Sequence, residues 1–225
     1  IPCRKAILES LTTAITISHK GEKFLSSRYP WLSIKTFHLG TEDNGVGMKS
    51  NDGIIRVVSC SSVYPLKRVP LIYNSLVQAA QNQRIEWTHI GGGPYFESLK
   101  ALVSTNSDSN LIVHLLGPIP MQDVLSYYNT HPVDVFVNLS TNEGIPVSIM
   151  EAISFNIPIV ATNVGGNSEI VTSETGILVH ADPSIQEVAS SFEQIFRLNL
   201  DPRLFWEREF KAMTNYMNFT HAISS

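Results

Sequence analysis

The sequence predicts an α/β protein built on a doubly wound, mainly parallel sheet. Three observations predict it. Short runs rich in Ile and Val alternate with stretches of helical periodicity from about residue 53 to 199. Those runs show little apolar–polar alternation, as strands do when helices cover both faces. Turn-forming, Gly- and Pro-containing segments follow the runs one after another.

The elements justify themselves in order. "GIIRVVSC" (53–60) reads as a strand, and "LKRVPLIYNSLVQAAQ" (66–81) as a helix with Pro70 near its start. "RIEWTHIG" (84–91) is a strand, and "PYFESLKALVST" (94–105) a helix with Pro at its first position. Then come the strand 110–117, the helix 121–130, the strand 133–140 and the helix 145–156. The strands 157–163 and 175–180 and the helix 183–199 complete the unit. Before it, a helix over 1–13, a strand 14–18, a helix 21–29 and a strand 33–37 are expected. The polar, Gly-rich stretch 38–53 reads as a linker. After it, 202–223 reads as one aromatic-rich helix whose apolar face packs on a neighbouring lobe or back on the sheet.

Composition narrows the function. The chain has 225 residues, 43% of them hydrophobic, and a net charge of −4. That is enough for a core and offers no basic surface for nucleic acid. No apolar run approaches the roughly 20 residues of a membrane span. Two cysteines, Cys3 and Cys60, make no disulfide framework and read as reduced thiols of a cytoplasmic protein. No targeting segment is seen, and the start "IPCRK" suggests a piece of a longer chain. There is no His-Glu-x-x-His, no cysteine cluster, no nucleophile elbow, no phosphate loop and no Asp-x-Asp pair. On spacing, no metal site is expected and each histidine reads as structural or solvated.

What remains lies at strand ends, where open α/β sheets bind ligands. The five turns "SSVYPLKR", "GGGP", "LGPIP", "STNEG" and "TNVGGNSE" bring small residues, helix N-termini, Lys67 and Arg68, and carboxylates to one edge. Such a set suits a phosphate-bearing ligand with hydroxyls. In "STNEGIPVSIMEA" (140–152), Glu143 sits in the turn and Gly144 lets the backbone come close. The N–H groups of Gly144, Ile145, Val147 and Ser148 face the site, while Pro146 opens the helix and donates nothing. Glu151, among apolar residues on the sheet-facing side, is a carboxylate that needs a partner.

The block "STNEGIPVSIMEAISFNIPIVATNVGGNSEIV" closely resembles the E-x7-E signature of retaining glycosyltransferases of family 4, with its trailing Gly-Gly-x-x-Glu. "SSVYPLKRVPLI", "HIGGGP", "VHLLGPIPMQDVLSYY" and "TGILVHADP" resemble the accompanying segments in the same order. The resemblance implies the GT-B fold of two Rossmann-like lobes, this chain being the C-terminal, nucleotide-sugar donor lobe. It divides the chain into a remnant of the N-terminal lobe (1–37), an interdomain linker (38–53), a Rossmann-like donor domain (54–200) and a C-terminal helix packing toward the other lobe (201–225). It implies no metal and no cofactor, with a nucleoside diphosphate sugar such as a UDP-sugar as substrate. Glu143 would contact the donor sugar near the reacting centre, and Glu151 the ribose hydroxyls. Lys67 would bind the diphosphate, and the N–H groups from Gly144 through Ser148 sugar or phosphate oxygens. Leu116, Gly117, Pro118 and Ile119 would lie beside the base, with Gly91 and Gly92 near the phosphates. The family's arginine five residues before the lysine is Ser62 here, so part of the phosphate charge compensation is lost, and whether Arg68 supplies it is left open by the sequence. The implied setting is bacterial surface polysaccharide or lipopolysaccharide synthesis at the cytoplasmic face of the inner membrane, with peripheral membrane association of the full-length enzyme. The acceptor site would lie in the missing N-terminal lobe, so the chain alone is expected to be inactive. Rival readings are a GT-B sugar-nucleotide epimerase and a non-enzymatic nucleotide-sugar-binding module.

Overall fold

The computed structural model describes residues 7, 9–105 and 110–224. The helix expected over 1–13 falls mostly outside the described residues, as does Cys3. The first described unit is a two-stranded parallel sheet, β1 (Thr13–Thr16) and β2 (Ser33–Thr36), joined by α1 (His19–Arg28). Ser18 caps α1 by accepting the Gly21 N–H at 3.0 Å, one of the helix's orphan donors.

The main unit follows in strict alternation: β3 (Ile54–Cys60), α2 (Val69–Ala79), β4 (Arg84–Ile90), α3 (Phe96–Ser104), β5 (Leu111–Gly117), α4 (Met121–Thr130), β6 (Val135–Asn138) and α5 (Val147–Ser154). Then come β7 (Ile159–Thr162), α6 (Asn167–Ile170), β8 (Gly176–Val179), α7 (Ile185–Gln194), α8 (Pro202–Glu209) and α9 (Ala212–Ser224). The six strands β3 to β8 form one all-parallel sheet in the order β5-β4-β3-β6-β7-β8. The predicted doubly wound sheet is therefore present, and its strand order reverses between β3 and β6.

Neighbouring strand residues divide between two cores, which is why the strands read as continuous apolar runs. Val57 and Trp87 join one cluster with Ile72 and Leu76 of α2, Leu99 of α3 and Phe192 of α7. Val58 and Phe136 join the other with Tyr128 of α4, Ile149 and Ile153 of α5, and Phe205 and Trp206 of α8. Asp134, just before β6, is buried and tied down. It accepts the Ser50 N–H at 3.0 Å and the Arg56 N–H at 2.8 Å, anchoring the segment before β3 to that strand.

Four element readings change. The helix expected over 66–81 is a 3₁₀ turn, Pro65–Lys67, then α2. Arg68 between them is left-handed at φ 49°, and Pro70 lies in the first turn of α2, where its missing N–H costs least. The helix expected over 183–199 ends at Gln194 and closes with a 3₁₀ turn, Ile195–Arg197. The single helix expected over 202–223 is two. Thr41, in the segment between β2 and β3, donates its N–H to the Phe210 carbonyl at 3.0 Å and accepts the Ala212 N–H at 3.1 Å. A tertiary partner thus occupies groups that a continuous helix would use, and the chain breaks at Phe210–Lys211. The fourth is α6, a single turn inside a segment that reads as a plain loop. Among the described residues no helix is long and apolar enough to cross a membrane.

Candidate functional site

The reversal of strand order puts the turns after β3 and β6 side by side at the carboxyl ends of the strands, the place where open α/β sheets form crevices. Lys67 stands in the first turn and Glu143 in the second. Their side chains meet, Lys67 Nζ donating to Glu143 Oε1 at 2.6 Å. The two turns are also joined through the backbone, Thr141 N–H to Leu66 carbonyl at 2.8 Å. Ser140 Oγ at 2.6 Å and Asn138 Nδ2 at 3.2 Å donate to the same Glu143 oxygen. Burial alone would raise the Glu143 carboxyl. The hydrogen bonds from Lys67, Ser140 and Asn138, with the ammonium charge, outweigh it and hold the group below its ordinary value. Glu143 is thus an oriented carboxylate at neutral pH.

The loop carrying Glu143 rests on the turn after β7. Gly165 is left-handed at φ 49°, and a side chain there would overlap the Glu143 carbonyl oxygen. The Gly166 N–H reaches the Gly144 carbonyl at 3.0 Å. Only glycine at 165 meets both the backbone angle and the close approach. Lys20 of α1 donates its Nζ to the Gly165 carbonyl, bringing a cation from the first unit to the same loop. Glu169, the glutamate of Gly-Gly-x-x-Glu, accepts the backbone N–H groups of His19 at 2.7 Å and Lys20 at 3.0 Å at the start of α1.

Pro146 precedes α5, which starts without a side-chain cap; the Ile149 N–H goes to the Pro146 carbonyl at 3.1 Å, and the Val147 and Ser148 N–H groups are left to an outside acceptor. Gly144 and Val147 are exposed there, Ser148 is half-buried, and Ile145 and Pro146 are buried. Glu151 lies one turn further in and is buried at 7% exposure. Its carboxylate has no hydrogen bond or ion pair among the described residues, and burial pushes it up to about 7. Cys60 at the end of β3 lies close enough to feel its charge, and burial pushes that thiol up to about 11.

The turns after β4 and β5 are joined as well. The Gly91 N–H donates to the Gly117 carbonyl at 2.8 Å, and Pro118 lies against Gly92. Leu116 and Pro118 are exposed at the rim, while Ile119 packs onto the core. Ser62 is exposed, its carbonyl accepting the Tyr64 N–H at 3.0 Å. Arg68 turns away from Lys67. It donates to the Ala181 carbonyl at 2.8 Å and stands 3.3 Å from Asp182. Its left-handed backbone aims the side chain to the other side of the turn. An apolar hollow of about 340 Å³ between Tyr64, Pro65, Leu71 and Tyr95 includes Arg68 but neither Lys67 nor Glu143. Sequence reasoning missed Asn138, Ser140 and Lys20. The first two carry a signal, polar residues closing an otherwise apolar strand. Lys20 carries none, because its approach is tertiary.

Comparisons with known proteins agree on the class. The family described as "Glycosyl transferases group 1" matches residues 55–197. The O-antigen biosynthesis glycosyltransferase WbnH of Escherichia coli is 33% identical over 107 residues, 48% of this chain and 28% of that protein. The D-inositol 3-phosphate glycosyltransferase of Corynebacterium aurimucosum is 36% identical over 93 residues, 41% of this chain and 21% of that protein. Among solved structures, the lipopolysaccharide outer core galactosyltransferase WaaB superposes with a TM-score of 0.78 at 17% identity, over 94% of this chain and 61% of that one. Anabaena Alr3699/HepE, solved in complex with UDP and glucose, gives 0.74 at 18% identity, over 95% and 63%. At that identity the likeness concerns the fold, one lobe of a GT-B architecture. The matched region spans less than two thirds of each of these proteins' own length.

Proposed function

Because the chain belongs to the glycosyl transferases group 1 family, we propose that it is the nucleotide-sugar donor part of a retaining glycosyltransferase. The observation that carries this reading is the contact of Lys67 with Glu143 at the point where strand order reverses. The pair puts a cation for a diphosphate beside a carboxylate for a sugar. The open N-terminus of α5 adds donors for phosphate oxygens, and Glu151 waits without a partner where two ribose hydroxyls could donate to it. Lys67 and the α5 N–H groups would stabilise the departing nucleoside diphosphate, the main contribution of this part to the rate. Charge neutralisation is assigned to these groups and not to a divalent ion, so added magnesium should leave donor affinity unchanged. Gly91, Gly92 and the 116–119 rim would flank the nucleoside. Ser62 supplies no charge and Arg68 is engaged by Asp182, so Lys67 carries the diphosphate with less help than the family arrangement has.

In the same reading, 1–37 belongs to the N-terminal lobe, 38–53 is the interdomain linker, and the acceptor site lies in sequence beyond this chain. The O-antigen biosynthesis relatives support a role in surface polysaccharide synthesis, and the reading sets that role at the cytoplasmic face of the membrane as a proposal of its own. The chain alone should bind donor and transfer nothing. Calorimetric titration with UDP-, GDP- and ADP-sugars tests this. One nucleoside diphosphate series should bind, and Lys67→Ala should weaken it by about 10- to 100-fold, the worth of one or two charge-assisted hydrogen bonds. Failure of every series to bind would overturn the donor-lobe reading.

A further inference from the structure

The geometry points to a binding site for a transition-metal ion of the zinc type formed by His19, His38 and Glu169, fastening the first unit to the main domain. His19 opens α1, His38 follows β2, and Glu169 lies on α6. One ligating atom from each lies within 4.8 Å of the others, the one such grouping among the described residues. The two rings meet edge to face at 5.2 Å, and His38 Nε2 stands 3.6 Å from Glu169 Oε2, beyond hydrogen-bond reach. That nitrogen is buried and makes no hydrogen bond, a state that folded proteins seldom leave unexplained.

The surroundings hold each group in place. His38 stacks on Phe210 at 4.9 Å with the rings 21° apart. The His19 and Lys20 backbone N–H groups orient the Glu169 carboxylate. Glu22 Oε2 lies 3.2 Å from His19 Nδ1, the carboxylate–imidazole arrangement that steers metal-binding histidines. Two imidazoles and one carboxylate favour zinc, cobalt or nickel over magnesium or calcium, which prefer oxygen alone. Zinc bonds of about 2.0–2.2 Å place tetrahedral ligand atoms about 3.3–3.6 Å apart. His38 and Glu169 are nearly there, and the His19 side chain, 61% exposed and held through Nδ1 by Glu22, has to swing its ring inward to close the remainder. Three protein ligands leave a fourth position for water. The expectation of no metal rested on the family resemblance and on spacing along the chain, and spacing is blind to ligands that converge from three segments.

The site stands independently of the nucleotide reading. The test is titration of the metal-stripped chain with Co²⁺, followed by visible absorption, and with Zn²⁺ by calorimetry. One equivalent should bind, with the d–d bands of a tetrahedral ion. His19→Ala, a change at an exposed side chain whose fold circular dichroism can verify, should lower affinity by about tenfold or more, and Glu169→Gln likewise. Zinc should raise the melting temperature of the parent chain and not of His19→Ala. Absence of stoichiometric binding, or binding unchanged in both variants, would overturn the proposal.

Discussion

At the scale of single residues the two glutamates of the motif behave oppositely, and their titration exposes it. Glu143 is held below its ordinary value, so the stability it lends is present above the unfolded carboxyl range and is lost as pH falls through its folded value. Glu151 is pushed up to about 7, so its stabilising, protonated state is complete below the unfolded value of about 4.5 and is lost as pH rises through 7. In ligand-free protein, Glu151→Gln should therefore raise the melting temperature at pH 8, by on the order of 5 °C, and change little at pH 5. Thermal melts at the two values check it. A gap that does not widen with pH would remove the unpaired carboxylate. If Glu151 accepts ribose hydroxyls, nucleotide affinity should rise between pH 6 and 8 in the parent chain and stay flat in Glu151→Gln.

At the scale of elements, loops are stacked on loops. The turn after β7 supports the turn after β6, and the contact tolerates no side chain at Gly165. Gly165→Ala should cost about 1–3 kcal/mol, from the left-handed backbone and the overlap with the Glu143 carbonyl. It should also displace Glu143 and weaken donor binding more than the loss of stability explains. Chemical denaturation and calorimetry on the same sample separate the two effects. The motif and the Gly-Gly turn were legible as segments, since turn chemistry is local. The break between α8 and α9 was not, because the groups responsible belong to Thr41, far away in the chain.

At the scale of the whole molecule, a well-buried domain carries a poorly buried appendage. Ile15, Phe24 and Trp31 of the first unit are exposed, and two parallel strands with one helix cannot bury a core of their own. Hydrogen exchange should show the amides of 13–36 exchanging well before those of β3, β4 and β6. Equal protection would mean that the first unit folds as one with the sheet. Arg203 adds to the anchors of 38–53: it donates to the Ser154 carbonyl at 2.6 Å and to Asp43 at 2.6 Å, and lies over the Trp206 ring at 4.5 Å. Arg203→Ala should cost about 2 kcal/mol and make 38–53 sensitive to limited proteolysis. An unchanged cleavage pattern would show that Asp134 and Thr41 suffice.

The sequence by itself determined the alternation of strands and helices, the parallel sheet, and the placing of Lys67 and Glu143 in turns after strands with Glu151 on the helix that follows. Periodicity, turn residues and motif spacing are properties of neighbours along the chain. The tertiary structure alone decided that Lys67 pairs with Glu143 while Arg68, next to it, turns to Asp182. It alone brought His19 and His38 to Glu169. Ion pairs and ligand sets are fixed by distance through space, and 76 residues separate Lys67 from Glu143 until the strand order folds β3 against β6.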